Sequence, residues 1–457
     1  MTTARQASAA PVDPARARID ALDVLRGVAV CGILLMNIFA MGGVSAYPLT
    51  TFPARWNAEW VSWGLQTVFV QGAMRGLFTL LFGAGMLLML RRAEGAEGRA
   101  APIDVWARRA LVLMALGTLQ WAVLLWPGEI LWNYGVSGLL LLAFRAAKVR
   151  VLVIAAAVMI AGLCADTAYW THQTVDQYHT GHAAMAATTP LTADQREAAA
   201  ALRAQRAAVH PAPRALAERV EQRTHPISLL QWSAAYWAEE NIGLTGWLDV
   251  AESVAFMLIG MALFRTGVLT GAASAATYRR MILIGYGGGL AWRTVPVILA
   301  ARTGWDMGDP AVATWQWTVA LAMFEPARLL VTIGHAGVVL ALLQRGVFGK
   351  ADTLRALGRM ALTVYCLQSA IGSVLFYGLG LLGRFSLPEL WGIAACIWVA
   401  TALFCRWWLA RFAMGPVERV LRVLAYAQWS EPGTWRRSPV PTYTATSHPR
   451  RRLGDQT

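Results

Sequence analysis

Apolar runs of about twenty residues recur along most of this chain, and they decide what it can fold into. They lie at roughly 24–42, 67–90, 109–126, 130–144, 151–169, 246–264, 281–301, 326–344, 360–382 and 390–410. A helix of about twenty residues crosses the ~30 Å hydrocarbon core of a bilayer. Inside that core each backbone N–H and C=O must be satisfied within the segment, which leaves the helix as the form for such runs. Composition agrees, with 57% hydrophobic and 14% charged residues over 457 positions, against about 45–50% and about 25% in soluble domains. A disordered chain, a disulfide-stapled secreted fold, a coiled coil and a single soluble Rossmann or barrel enzyme are excluded. The expected fold is all-α, a polytopic membrane protein with about ten transmembrane helices.

The runs divide the chain into a polar N-terminus (1–20), helices one to five (21–169), a long polar extracytoplasmic loop (170–243), helices six to ten (244–411) and a basic tail (412–457). Residues 312–325, from Val312 to Phe324 apolar, read as a re-entrant piece or as the first turns of the eighth helix, so the count holds to within one.

A formal charge of +14 would suggest nucleic acid in a soluble protein, but its distribution decides otherwise. With a cytoplasmic N-terminus, the inside segments hold Arg91, Arg92, Arg99, Arg108 and Arg109, then Arg145, Lys148 and Arg150, then Arg265, Arg279 and Arg280, then Arg345, Lys350, Arg355 and Arg359. On the other side Arg55, Arg302 and Arg384 stand alone in the short loops. This is the positive-inside bias, so the basic residues report topology, with both termini cytoplasmic and no nucleic-acid partner. Arg436, Arg437, Arg450, Arg451 and Arg452 in the tail suit anionic lipid headgroups. All five cysteines (Cys31, Cys164, Cys366, Cys396, Cys405) fall in or at spans without a C-x-x-C pair and read as small buried apolar residues.

Within the long loop, Thr192 and Gln195 fit a capping box that opens a helix to about Val209, ended by Pro211 and Pro213. A short helix from Leu216 to Arg223 follows, then an aromatic segment with Trp232, Tyr236 and Trp237 suited to the membrane interface. His172, Asp176 and His179 fall on one helical face with His182 close behind, but spacing fixes no fourth ligand. They read as solvated polar residues, and no metal is assigned.

Ionisable groups inside spans cost about 2.5–3.5 kcal/mol on insertion scales and so mark candidate sites. These are Asp23 and Arg26 in helix one, Arg75 in helix two, Glu129 before helix four, Asp249 and Glu252 opening helix six, Arg293 before Pro296 in helix seven, Glu325 and Arg328 around Pro326, and His335 in helix eight. Asp23 with Arg26, and Glu325 with Arg328, are either local ion pairs or parts of an anion site. Arg75, Arg293 and Arg328 have fewer local partners, and guanidinium groups facing one interior suit phosphate or carboxylate. His335 is either a satisfied core histidine or a proton-transfer residue. The glycines of 82–85 and 287–289, together with Pro296, allow close helix packing or the broken helices of a transporter. No G-x-S-x-G, P-loop, H-E-x-x-H or dinucleotide fingerprint is present.

Several segments carry a resemblance. Leu22-Asp-Val-Leu-Arg-Gly-Val-Ala-Val30 with Gly32-Ile-Leu-Leu-Met-Asn37, Met74-Arg-Gly-Leu-Phe-Thr-Leu-Leu-Phe-Gly-Ala-Gly85, Leu125-Trp-Pro-Gly-Glu-Ile-Leu131, Met257-Leu-Ile-Gly-Met-Ala-Leu263, Gly358-Arg-Met-Ala-Leu-Thr-Val-Tyr-Cys-Leu-Gln-Ser369 and Gly415-Pro-Val-Glu-Arg-Val-Leu-Arg422 resemble, in order, the YeiB-like bacterial inner-membrane proteins, a family described by a domain of unknown function. The likeness spans about residues 18–427 and implies an inner-membrane location. More distantly, the Asp-x-x-Arg-Gly opening is similar to that of transmembrane acyltransferases such as the lysosomal heparan-α-glucosaminide N-acetyltransferase. Many of those place a catalytic His eleven residues after the Arg, where this chain has Asn37; residues 43–66 also hold no His. An amide cannot serve as a general base.

What the resemblance implies is transfer of an acyl group from a cytosolic acyl-CoA to an extracytoplasmic anionic or envelope acceptor. Asp23, Arg26 and Arg75 would hold the donor. Asn37 would supply an oxyanion donor about 16 Å of helix rise from Arg26, with Glu129 or His335 as base. Arg293, Arg328, Tyr365 and Gln368 would contact substrate. The alternatives are a transporter or exporter of a small anionic metabolite, with Arg75, Arg293 and Arg328 as ligands, and a scaffold without chemistry.

Overall fold

A computed structural model of the chain describes residues 14–44, 57–93, 101–308, 314–348 and 351–426. The polar N-terminus before Pro14, Arg55, Arg99, Lys350 and the basic tail after Tyr426 lie outside the described residues. Among the described residues the fold is all-helical. In chain order the α-helices are α1 (Pro14–Gly42), α2 (Ala58–Leu65), α3 (Ala73–Ala93), α4 (Pro102–Leu124), α5 (Leu131–Leu141), α6 (Val149–Ala186), α7 (Ala193–Val209), α8 (Pro213–Thr224), α9 (Pro226–Asn241), α10 (Leu244–Arg265), α11 (Ala275–Thr303), α12 (Thr314–Ala322), α13 (Phe324–Gln344), α14 (Asp352–Arg359), α15 (Ala361–Ser373), α16 (Leu387–Arg411) and α17 (Pro416–Tyr426).

Nine of the described helical stretches are long and apolar enough to span a bilayer. The expected tenth, at 130–144, forms the helix Leu131–Phe144, which is shorter than a bilayer-spanning helix. Residues 314–322 form the separate helix α12, packed against α6. α6 is 38 residues long, about 57 Å, so it outruns the bilayer and carries His172, Asp176, His179 and His182 on its polar extension. His172 and Asp176 pair there at 3.4 Å, both exposed, and no group of three or more potential metal ligands comes together among the described residues.

Glycine sets the closest packing. A Cβ at Gly83 would collide with the Met257 carbonyl and one at Gly260 with the Leu80 carbonyl, so α3 and α10 touch backbone to backbone. α11 and α13 do the same through Gly285 and Gly289. Pro296 lies inside α11, which stays helical through it. The helix that breaks is the second span. Its residues Gln66–Val70 form a π-turn, and Gly72 follows at φ +71°, a conformation that favours glycine.

The basic connections meet at one end of the bundle. Arg265 donates to the carbonyls of Ala147 and Arg145, Gln344 to those of Gly271 and Ala273, and Arg355 pairs with Asp20 at 3.6 Å. The opposite end carries the polar insert. There the Thr192–Gln195 capping box opens α7, and Arg206 binds Asp306 at 2.6 Å. Ser233 of α9 accepts from the Trp121 indole and donates to the Leu125 carbonyl, each at 2.9 Å. Of the expected interfacial aromatics, Tyr236 is exposed while Trp237 is buried against Trp121, their rings stacked at 4.8 Å. The cysteines are all free; Cys405 is buried, whereas Cys396 stands on the exposed face of α16.

Candidate functional site

At the basic end a cavity of about 630 Å³ opens between α1, α3, α4, α5, α15 and α17. Four guanidinium groups line it, those of Arg26, Arg109, Arg359 and Arg422, while Phe78, Phe82, Leu113, Leu131 and Tyr134 supply an apolar interior. Arg26 is held by Asp23 at 3.0 Å, and Arg359 donates to the Ala413 carbonyl at 2.8 Å. Arg109 and Arg422 have no ion-pair partner among the described residues, so their charge faces the cavity. Glu418 is the one carboxylate in the lining, and it is committed elsewhere. Its Oε1 accepts from the backbone N–H groups of Leu362 and Thr363 at 2.8 and 3.0 Å, and its Oε2 from the Thr363 hydroxyl at 2.5 Å. It thus caps α15, which has no cap of its own. Burial pushes the Glu418 carboxyl above its ordinary range, against the pull of the Thr363 hydroxyl and these backbone donors.

Tyr134 closes the deep end. Its hydroxyl lies 2.7 Å from the Thr79 hydroxyl and 3.4 Å from the Arg75 carbonyl, linking the cavity to a second charged assembly. Arg75 binds Asp249 at 3.0 Å and makes a very short contact with Glu252. The other oxygen of Glu252 meets Arg328 at 2.5 Å, and Arg328 meets Glu325 at 2.6 Å. The side chains of Glu252 and Arg328 are 3% and 5% exposed, so this chain of charges is buried. Two guanidinium groups therefore face three carboxylates. The nearby Arg293, stacked like Arg328 on Phe324, makes the formal charge balanced. Sequence spacing suggests arginines short of partners; Arg75 draws its partners from α10, and Arg328 adds Glu252 of α10 to its local Glu325.

The broken second span explains two further residues. A π-turn frees backbone carbonyls inside the membrane, where they need donors. Arg293 donates to the carbonyls of Thr67 and Gln71. His335 Nε2 lies 2.8 Å from the Phe69 carbonyl and its Nδ1 2.6 Å from the Tyr286 hydroxyl.

Beside Leu131 of the cavity lining, Glu129 opens α5. Its Oε2 accepts from the N–H groups of Leu131 and Trp132 at 2.7 and 3.2 Å, and its Oε1 from the Trp237 indole at 3.1 Å. The Tyr365 hydroxyl meets the same segment, accepting from the Ile130 N–H at 3.0 Å. Trp126 shares an apolar cluster with Leu34 and Ile38, and Leu131 one with Val30 and Ile33, so Glu129 lies between segments packed along the middle of α1. Asn37 is partly buried.

The expected site residues thus fall into three groups. Asp23 and Arg26 are at the cavity mouth; Arg75, Arg293, Arg328 and His335 surround the broken helix; Asn37, Glu129, Tyr365 and Gln368 lie along the α1, α5 and α15 side. Arg109, Arg359, Arg422 and Glu418 escaped sequence reasoning as site residues. The first two counted as topology charges, and the last two sat unremarked in the Gly415–Arg422 motif.

Fold and site define the class: a polytopic helical membrane protein with a basic-rimmed cavity at one end and a buried ionic chain beyond it. The chain belongs to the YeiB-like family. It is 30% identical over 422 residues to the uncharacterized protein YeiB of Escherichia coli K12, covering 88% of this chain and 95% of that one. It is 27% identical over 435 residues to the uncharacterized protein YxaH of Bacillus subtilis 168, covering 90% and 95%. The family model described as "Protein of unknown function (DUF418)" matches residues 263–428. No solved structure matches the chain.

Proposed function

We propose that the basic end faces the cytoplasm of a bacterial inner membrane, and that its cavity binds a phosphate-bearing acyl donor of the acyl-CoA type for transfer to an acceptor at the far face. The observation that carries this is the cavity at Arg26, whose mouth is rich in guanidinium groups and whose depth is apolar. Arg grips phosphate bidentately, and about 300–1,000 Å³ is the usual size of a small-molecule site. In the transfer the thioester C–S bond breaks, the acyl carbon joins an acceptor oxygen or nitrogen, and the acceptor's proton ends on the departing thiolate. Asn37 is the carbonyl donor in this scheme, and Glu129 is the proton acceptor. His335, engaged at both nitrogens, is structural.

Acetyl-CoA binding to the full chain in nanodiscs tests this. Saturable binding is expected, weakened about tenfold or more in Arg26→Ala, Arg109→Ala and Arg422→Ala, as loss of a charged phosphate contact predicts. A folded protein that binds nothing at millimolar concentration overturns it.

A second reading, export of a whole anionic metabolite, is favoured by one specific observation. The discontinuous second span and its ionic chain adjoin the deep end of the cavity at Tyr134, an arrangement that suits alternating access. Flux of a labelled anion from proteoliposomes, without covalent transfer, would decide for it.

A further inference from the structure

Gln368 is 3% exposed, yet neither its amide oxygen nor its amide nitrogen has a hydrogen-bond partner among the described residues. A buried primary amide with nothing bonded costs roughly 1–3 kcal/mol, a cost that a bound polar group would relieve. The packing says what it faces. α1 and α15 run side by side, and a Cβ at Gly372 would strike the Met41 side chain. One turn back along each helix, on the same faces, stand Gln368 and Asn37. The start of α15 agrees in direction, since Val364 and Tyr365 share an apolar cluster with Val30 and Ile33 of α1. Asn37 and Gln368 therefore stand at one level on adjoining faces of two helices, and no hydrogen bond joins them.

We infer that Gln368 is the second amide donor, beside Asn37, for the acyl carbonyl oxygen of the ligand. This rests on the acyl-donor reading. A carbonyl oxygen has two lone pairs and accepts one N–H from each side, which amides on two adjoining helices supply and a single Asn does not. Both donors are neutral, so they bind a carbonyl without the desolvation cost of a charge. Specificity follows: a ligand lacking the carbonyl leaves both amides unpaired and is rejected.

The test compares acetyl-CoA with S-ethyl-CoA, which keeps the phosphates, the sulfur and the chain length but replaces C=O by CH2. The full chain in nanodiscs should bind acetyl-CoA about tenfold more tightly, the scale of one to two buried hydrogen bonds. Gln368→Met, close in shape, and Gln368→Glu, which keeps the oxygens and loses the N–H donors, should erase that preference by weakening acetyl-CoA alone. Unchanged S-ethyl-CoA binding is the control for folding, and Arg26→Ala should weaken both probes equally. A preference that survives in either folded variant overturns the inference. Equal binding of both probes to the parent overturns it while leaving the acyl-donor reading standing. If neither probe binds the parent, that reading fails and takes this inference with it.

Discussion

His335 Nε2 reaches the Phe69 carbonyl across 2.8 Å, joining α13 to the π-turn of the second span. A carbonyl only accepts, so Nε2 carries the proton, and in the neutral ring Nδ1 accepts from the Tyr286 hydroxyl at 2.6 Å. The imidazole is therefore a bridge between a broken helix and α11. His335→Phe should leave the Phe69 carbonyl and the Tyr286 hydroxyl unpaired, destabilising the fold by about 1–3 kcal/mol per group. Thermal unfolding in detergent would show the drop, and acetyl-CoA binding in the surviving folded fraction should be unchanged. A parent-like melting point would mean that the carbonyl finds another donor.

The ionic chain from Asp249 to Glu325 makes a second prediction. Glu252 contacts both Arg75 and Arg328, so Glu252→Gln leaves two buried guanidinium groups sharing one fewer charge. Removing one partner from a buried pair costs about 3–5 kcal/mol. Arg75→Met combined with Glu252→Met should cost less than the sum of the single changes, because Arg328 keeps Glu325 and Asp249, about a third exposed, can hydrate. Strict additivity in the melting free energies would show that the pair is not coupled.

These two networks also mark how far the sequence could be read. Local relations were legible: Thr192 and Gln195 cap α7, and Glu325 pairs with Arg328 one turn away. Long-range ones were not, since Arg75 and Asp249 lie 174 residues apart and nothing in either motif names the other. Gly287–Gly289 and Pro296 allowed close packing or a break in α11; Gly289 packs against α13, Gly287 meets nothing, and the break falls at 66–72. A glycine read alone cannot distinguish close approach from positive φ. Arg109 and Arg359 illustrate the same limit, because a basic helix end has the same sequence whether it meets water or a cavity.

The polar insert is clamped to the bundle through one hydroxyl. Ser233 accepts from Trp121 and donates to Leu125, which sits at φ +51° after α4. Ser233→Ala should cost about 1–3 kcal/mol, because it strands a buried indole N–H and a carbonyl. Hydrogen exchange should accelerate over α9 and leave α3 and α10 unchanged. Uniform acceleration would mean that the insert and the spans open together.

Glu418 gives a prediction with a sign in pH. It lies outside the spanning helices, and burial raises its folded carboxyl above the ordinary 4.5, although the Thr363 hydroxyl and the N–H groups of Leu362 and Thr363 favour the charged form. A raised folded value means that folding favours the protonated acid. Its stabilising contribution is full below the unfolded value and is lost as pH rises through the folded one. Glu418→Gln cannot ionise, so it should flatten the fall in melting temperature of the parent as pH rises from about 4.5. Because Glu418 holds α17 against α15, proteolysis of α17 in the parent should become faster over the same interval, and the variant should show no such change. A parent whose melting temperature rises through that interval, with Glu418→Gln abolishing the rise, would show instead that the three donors outweigh burial and that the carboxylate is the stabilising form.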